Sequence, residues 1–197
     1  MKLALRLFLL SSKPVLDFAE YFFKGSIVEK ENKLLHTLKR ATCRRSFPVF
    51  VCLGSVSFFN GAFPVELNRT RLAVYLYNVP SGTSVRNLYH FLQLVKAKSF
   101  QKYDWGRKKN VKIYGQRRPP QYDLKKVTAP VAIYWGDGDV LTTPRDVKDL
   151  AKRLPNVVLV YKVPVPGFTH LDFGWSFKAW KHLYKKMLQM MKTYAKI

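Results

Sequence analysis

Acidic side chains are scarce in this chain. Twelve Asp and Glu stand against 35 Lys and Arg, leaving a formal net charge of +23 and a pI near 10.2. Such a deficit says nothing about fold, but it admits three kinds of partner: nucleic acid, an anionic membrane surface, or an acidic protein. Long apolar runs are also missing. None reaches the roughly 18 uncharged residues that a membrane-spanning helix needs. Cysteine is nearly absent, with only Cys43 and Cys52, too few and too far apart for a zinc site. Order, by contrast, is not in short supply. A content of 48% hydrophobic and 15% aromatic residues over 197 positions excludes a disordered chain and is enough for one domain, or one with an insertion.

The charge is unevenly spread. Lys and Arg crowd the stretch from Lys96 to Lys126, where the only acids are Asp104 and Asp123, and the last twenty residues carry Lys178, Lys181, Lys185, Lys186, Lys192 and Lys196 with no acid. No helix-turn-helix, RNP or zinc signature accompanies the charge, so a solvated basic surface is the preferred reading and no nucleic acid is expected. The two cysteines flank a Ser-Phe-Pro segment. Spacing alone suits a short disulfide loop or two free buried thiols equally. Asn68-Arg69-Thr70 is an N-glycosylation acceptor, which lends modest support to a secretory route. The first twelve residues have a charged start and an apolar stretch, but Arg6 interrupts it and no small-x-small cleavage site follows. They read as an amphipathic or buried helix rather than a signal peptide.

Helical spacing marks residues 1–45, with Val15, Phe18, Ala19, Phe22 and Phe23 on one face and Leu34, Leu35 and Leu38 on another. Leu72 to Tyr77 predicts a short buried strand. Ser84 onward predicts a helix striped by Val85, Leu88, Tyr89, Leu92 and Val95. Residues 98–127 read as a basic connection in which Pro119-Pro120 forbids helix. The last third is clearest. Val131 to Trp135 predicts a strand buried on both faces. Thr143, Pro144 and Asp146 open a helix, and Val157 to Tyr161 predicts a second strand. Strand, helix and strand with short loops imply a parallel βαβ unit. A final amphipathic helix would place Phe177, Trp180, Tyr184, Met187, Met191 and Tyr194 over the sheet.

Functional groups of an open parallel sheet gather beyond the carboxyl ends of its strands. Asp139 follows the first strand and His170 the second, so both loops should open on one edge. A histidine there can act as general base while a carboxylate fixes its tautomer, and the Asp-then-His order is that of the α/β-hydrolase triad. Plainer readings stand beside this one. Asp137 and Asp139 suit a tight turn on backbone grounds, and His170 suits a structural role. His36, His90 and His182 lie on predicted helices and receive no catalytic role. Asp172 reads as local packing.

Several short motifs then line up in order: Pro80-Ser81-Gly82-Thr83-Ser84, Tyr103-Asp104-Trp105-Gly106, Pro119-Pro120-Gln121-Tyr122-Asp123-Leu124, Gly136-Asp137-Gly138-Asp139 with Pro144-Arg145-Asp146-Val147, and His170-Leu171-Asp172-Phe173. Together they resemble the acid lipases, the family of gastric and lysosomal acid lipase, firmly from about residue 68 onward. The resemblance implies an α/β fold: a partial α/β-hydrolase, its last three parallel core strands at 72–77, 130–135 and 157–163 with flanking helices. A helical cap over residues 1–70 would precede the core part at 71–197. It implies hydrolysis of triacylglycerols or cholesteryl esters through an acyl-serine, with Asp139 as triad acid and His170 as base. It also raises the Cys43–Cys52 disulfide above free thiols, implies no metal or organic cofactor, and implies a secreted or lysosomal setting for the complete protein, while the glycan expected at Asn68 rests on its own triplet.

The nucleophile is the gap in that pattern. No G-x-S-x-G occurs anywhere in the chain; Gly54-Ser55-Val56-Ser57 and Pro80-Ser81-Gly82 both fail it. The resemblance also implies oxyanion donors from an N-terminal half of the core, which these 197 residues are not expected to supply. The expectation is therefore a fragment that hydrolyses little alone and is prone to aggregate through an exposed strand edge. A non-catalytic module that binds anionic lipid interfaces through its cap helices and basic face is the second reading.

Overall fold

The computed structural model describes residues 26–27, 67, 71, 74–75 and 83–195. The chain divides into two compact units, one of Met1–Lys33 with Pro80–Asp123, the other of Leu34–Val79 with Leu124–Ile197. Cys43, Cys52, Asn68 and nearly all of the expected cap lie outside the described residues.

In the first unit, β1 (Ser26–Ile27) pairs antiparallel with β2 (Thr83–Ser84). Ser84 then caps α1 (Val85–Ala97), its hydroxyl accepting the Asn87 amide at 3.0 Å, the usual device for a helix N-terminus. Val85 and Leu92 of the expected stripe are buried. Sequence reasoning missed α2 (Arg107–Tyr114), which lies inside the expected basic connection. Its apolar residues Val111 and Ile113 are exposed, so it has no amphipathic signature to detect. Its ends are nevertheless marked: Gly106 precedes it, and Gly115 closes it at φ 71° with its amide on the Val111 carbonyl. Beyond it, Gln101 bridges Gln121, which returns the Pro119-Pro120 segment alongside residues 100–102.

The second unit holds the expected βαβ. β3 (Val131–Trp135) and β4 (Val157–Lys162) are parallel, in register from Ala132↔Leu159 to Trp135↔Lys162 after an irregularity at the start. Between them runs α3 (Pro144–Arg153). Thr143 and Asp146 form a reciprocal capping box at its N-terminus, with Pro144 in the first turn. The short loops and right-matched strand ends put the residues after Trp135 beside those after Lys162.

Three expectations need correction here. Val74 and Tyr75 are helical, not part of a third strand, and the Tyr75 ring stacks on Trp175 at 5.1 Å. A six-residue apolar run does not distinguish a buried helix from a strand by periodicity. The sheet has two strands among the described residues, so β3 is half-buried throughout and Val160 of β4 is 47% exposed, against the expectation of burial on both faces.

The third correction concerns the C-terminal face. After α4 (Asp172–Trp175), a π-helical turn at Trp180–Tyr184 leads into α5 (Lys185–Tyr194). The Lys185 amide reaches back five residues to the Trp180 carbonyl. That extra residue rotates what precedes it off the predicted stripe. Ala179 and Leu183 are buried with Val163, Val165 and Phe168, and Tyr184 and Met187 pack on them. Phe177, Trp180 and Met191, each at least 60% exposed, do not cover the sheet. No helix among the described residues is long and apolar enough to cross a membrane.

Candidate active site

Asp139 and His170 meet. His170 Nδ1 lies 2.9 Å from Asp139 Oδ2, across 31 residues of sequence, because the register of β3 and β4 brings their following loops together. The other carboxylate oxygen of Asp139 accepts the amides of Leu141 and Thr142, both at 2.9 Å. The carboxylate is thus fixed by three donors and is buried at 6% exposure, whereas the His170 side chain is 48% exposed. Burial alone would raise the Asp139 pKa, but the bonds from His170, Thr142 and Leu141 outweigh it and hold the carboxyl below its ordinary value. The same bond to Asp139 raises His170 above the ordinary imidazole value, against the opposing effect of burial. With Nδ1–H directed to the carboxylate, Nε2 is left to exchange a proton with a reacting group.

A second set of contacts fastens the two loops to each other. The Gly167 amide donates to Asp137 Oδ1 at 2.8 Å, and the Gly138 amide to the Phe168 carbonyl at 3.1 Å. Asp137 also pairs with Lys162 at 2.7 Å, at the end of β4. That bond lowers its pKa most, with the Gly167 amide helping against desolvation. The approach is close enough to need glycine. A Cβ at Gly138 would stand 2.2 Å from the Gly167 carbonyl oxygen, and one at Gly136 2.2 Å from that of Phe168.

The histidine loop is also braced from below. Asp172, fully buried, accepts the Thr169 amide at 2.8 Å and its hydroxyl at 2.7 Å. The Asp172 amide returns a bond to the Thr169 carbonyl at 3.2 Å, so His170 sits inside a closed polar turn. Phe168 and Val163, both at 0% exposure, anchor that turn in the core.

Sequence reasoning had Asp139 and His170 but read Asp137 as a turn former and Asp172 as packing. The detectable signal was the Thr169-x-x-Asp172 spacing, at which a carboxylate reaches back to the amide and hydroxyl three residues before it; nothing in the sequence pointed to Lys162. His90 and His182 are elsewhere: His90 Nε2 bonds the Gln101 carbonyl, and the His182 carbonyl accepts the Tyr161 hydroxyl. No group of three or more His, Cys, Asp or Glu side chains among the described residues is placed to hold a metal ion.

No family model matches the chain. It is 34% identical over 173 residues to gastric triacylglycerol lipase of Homo sapiens, covering 87% of this chain and 43% of that protein. It is 37% identical over 182 residues to the Rattus norvegicus gastric triacylglycerol lipase, covering 89% and 46%. It is also 37% identical over 144 residues to lipase lipl-1 of Caenorhabditis elegans, covering 73% and 36%. The chain thus spans less than half the length of the curated relatives it matches. Kinship with these lipases implies an α/β-hydrolase fold, and the parallel β3–β4 pair with its crossover helix accords with it. The chain belongs to the acid lipase family and corresponds to the C-terminal part of its members.

Proposed function

We propose that Asp139 and His170 are the acid and base of a serine carboxylic-ester hydrolase acting on lipid esters of the triacylglycerol or cholesteryl ester class. The observation that carries this reading is the 2.9 Å contact between a buried carboxylate held by backbone amides and a half-exposed histidine. In the proposed reaction, a serine hydroxyl gives its proton to His170 Nε2 as its oxygen attacks the ester carbonyl. The imidazolium then returns that proton to the departing alkoxide. Asp139 stabilises the imidazolium and does not itself become protonated. Water repeats the sequence on the acyl-serine and regenerates the serine.

That serine needs a strand-to-helix elbow and adjacent oxyanion donors. The 197 residues contain no G-x-S-x-G, so we propose that these residues by themselves turn over esters weakly and that the nucleophile belongs to the part of the family's core that they do not span. The setting of the whole protein would be secreted or lysosomal. Cys43–Cys52 pairing, a glycan at Asn68 and a cap built from residues 1–70 belong to the same proposal.

The test is a chimaera in which this chain replaces the matching part of human gastric triacylglycerol lipase, assayed on a triacylglycerol emulsion. His170→Ala and Asp139→Ala should each lower kcat by about 10³-fold or more with the fold retained by circular dichroism. An active chimaera indifferent to both substitutions would overturn the assignment. For the isolated chain, hydrolysis of a short-chain nitrophenyl ester above a His170→Ala control would overturn its proposed weakness.

A further inference from the structure

Three cations in the first unit are seated on aromatic rings within one short stretch. Arg86 lies 5.1 Å and Lys109 4.1 Å from the centre of the Trp105 ring, and Lys102 lies 5.7 Å from that of Tyr114. Energetically significant pairs of this kind occur about once per 70–80 residues, so three between positions 86 and 114 is a concentration. Two of them, Arg86 and Lys102, line an open cavity of about 280 Å³ with His90, Tyr103, Trp105 and Tyr114 among others, and no Asp or Glu stands among the described residues of its lining.

The rings are fixed by a polar scaffold. The Gln93 side chain bonds both the amide and the carbonyl of Asp104, at 2.8 and 2.7 Å. Asn110, only 1% exposed, accepts the Trp105 amide at 3.0 Å and donates to Asp104 Oδ1 at 2.7 Å and the Arg117 carbonyl at 3.0 Å. Trp105 Nε1 donates to the Tyr114 hydroxyl at 3.2 Å, which donates in turn to the Tyr103 carbonyl at 3.0 Å. Such a platform limits the motion of the cations resting on it, so less side-chain entropy is lost when they close on an anion. Arg107, Lys108, Lys112, Arg117 and Arg118 nearby add to the positive field.

We propose that this cavity is a binding site for a phosphate group borne by a small ester or a lipid headgroup, gripped by Arg86 and Lys102, with Lys109 contributing charge from the Trp105 ring. Phosphate fits better than a carboxylate because its charge and several acceptor oxygens can engage more than one cation at once. Stacked nucleobases fit worse, because the Trp105 ring that would receive one already carries two cations. The site does not depend on the ester-hydrolase reading, since every residue in it belongs to the first unit.

The purified full chain would be titrated calorimetrically with glycerol 3-phosphate, inorganic phosphate and acetate. Two double variants remove the same charge: Arg86→Gln with Lys102→Gln in the site, and Lys148→Gln with Lys152→Gln on α3. Arg86 and Lys102 are both exposed, so folding should survive, as circular dichroism checks. Saturable phosphate binding weakened about tenfold or more by the first pair and by less than about twofold by the second is expected. Equal losses from both pairs, acetate binding as tight as phosphate, or no saturation overturns the site. Phosphatidylcholine vesicles with and without phosphatidic acid separate the two sources. A vesicle response to the first pair only supports the site and names a headgroup; a response of the soluble ester alone supports it and names a free phosphate ester. Single-stranded RNA bound tightly and not displaced by glycerol 3-phosphate overturns the proposal in favour of nucleic acid.

Discussion

The loops around His170 and the stretch around Trp105 both hold charged side chains still, and they do it by different physics. Near His170, unlike charges meet: Asp139 with the histidine, Asp137 with Lys162. Beneath them lies an apolar core in which Phe168 and Val163 are fully buried. Near Trp105, cations rest on rings, and beneath the rings lies a hydrogen-bonded scaffold whose most buried member is the polar Asn110. The consequence is chemical. Charges that compensate each other tune a proton's affinity, which suits acid–base work. Lys102 and Lys109, seated on uncharged rings, keep their positive field, which suits anion binding.

The largest expected contrast comes from removing each foundation. Phe168→Ala should cost about 3–5 kcal/mol of stability in urea unfolding, the range for deleting a buried aromatic ring. Asn110→Ala should cost about 1–3 kcal/mol, because it takes the side-chain partner from the Trp105 amide and the Arg117 carbonyl and leaves Asp104 Oδ1 with the Gly106 amide alone of its two donors. The His170 ring resonances should stay in place in the second case. An Asn110 effect as large as that at Phe168 would erase the distinction between an apolar and a polar foundation.

Next in size is the closeness of the two loops. Gly138→Ala puts a methyl 2.2 Å from the Gly167 carbonyl oxygen, so the loops must part at a cost of about 1–3 kcal/mol. Their parting should stretch the His170–Asp139 bond and let the histidine pKa fall toward its ordinary value, read by NMR titration of the ring. Asp139→Asn should lower the His170 pKa in the same experiment without parting the loops.

The sign of the pH dependence follows from the two directions. His170 has a raised pKa in the fold, so its contribution is complete below the unfolded value and lost as pH climbs through the folded one. Asp139 has a lowered pKa, so its contribution is complete above the unfolded value and lost as pH falls through the folded one. The pair should stabilise most between about pH 4 and 6.5, the ordinary carboxylate and imidazole values. A difference in melting temperature between the wild type and Asp139→Asn that is flat across pH 3–9 would remove the ion pair from the account.

Much of the second unit was legible in the sequence because its signals are local. Thr143-Pro144-x-Asp146 dictates a helix start through bonds between neighbours, and two short β-branched runs about it dictate a parallel pair. That Asp139 and His170 lie at one sheet edge followed from that topology, and their expected roles from the family resemblance. Three things were not legible, each for a stated reason. Helix α2 buries the polar Asn110 and leaves Val111 and Ile113 exposed, so apolar periodicity could not reveal it. The π turn at Trp180–Tyr184 shifts the phase of the C-terminal stripe, and no sequence rule marks such an insertion. The staple from Asp137 to Lys162 and Gly167 joins residues 25 and 30 positions apart, and only the register of β3 on β4 brings them together. The acid lipase resemblance was legible only from motifs in series, since each is short.

The smallest expected effect separates charge from geometry in that staple. The Lys162–Asp137 pair is partly exposed, with side chains 49% and 32% accessible, so its charge should contribute no more than about 1 kcal/mol and fade with salt. Asp137→Asn keeps an oxygen that can accept the Gly167 amide and removes only the charge. Asp137→Ala removes both, leaving that amide without its protein acceptor beside the glycine that leads into Phe168 and His170. The Asn variant should therefore leave the His170 titration close to wild type, while the Ala variant should move it downward as the loop loosens. Equal shifts in the two variants would mean that the negative charge of Asp137, and not its grip on the backbone, sets the proton affinity of the histidine.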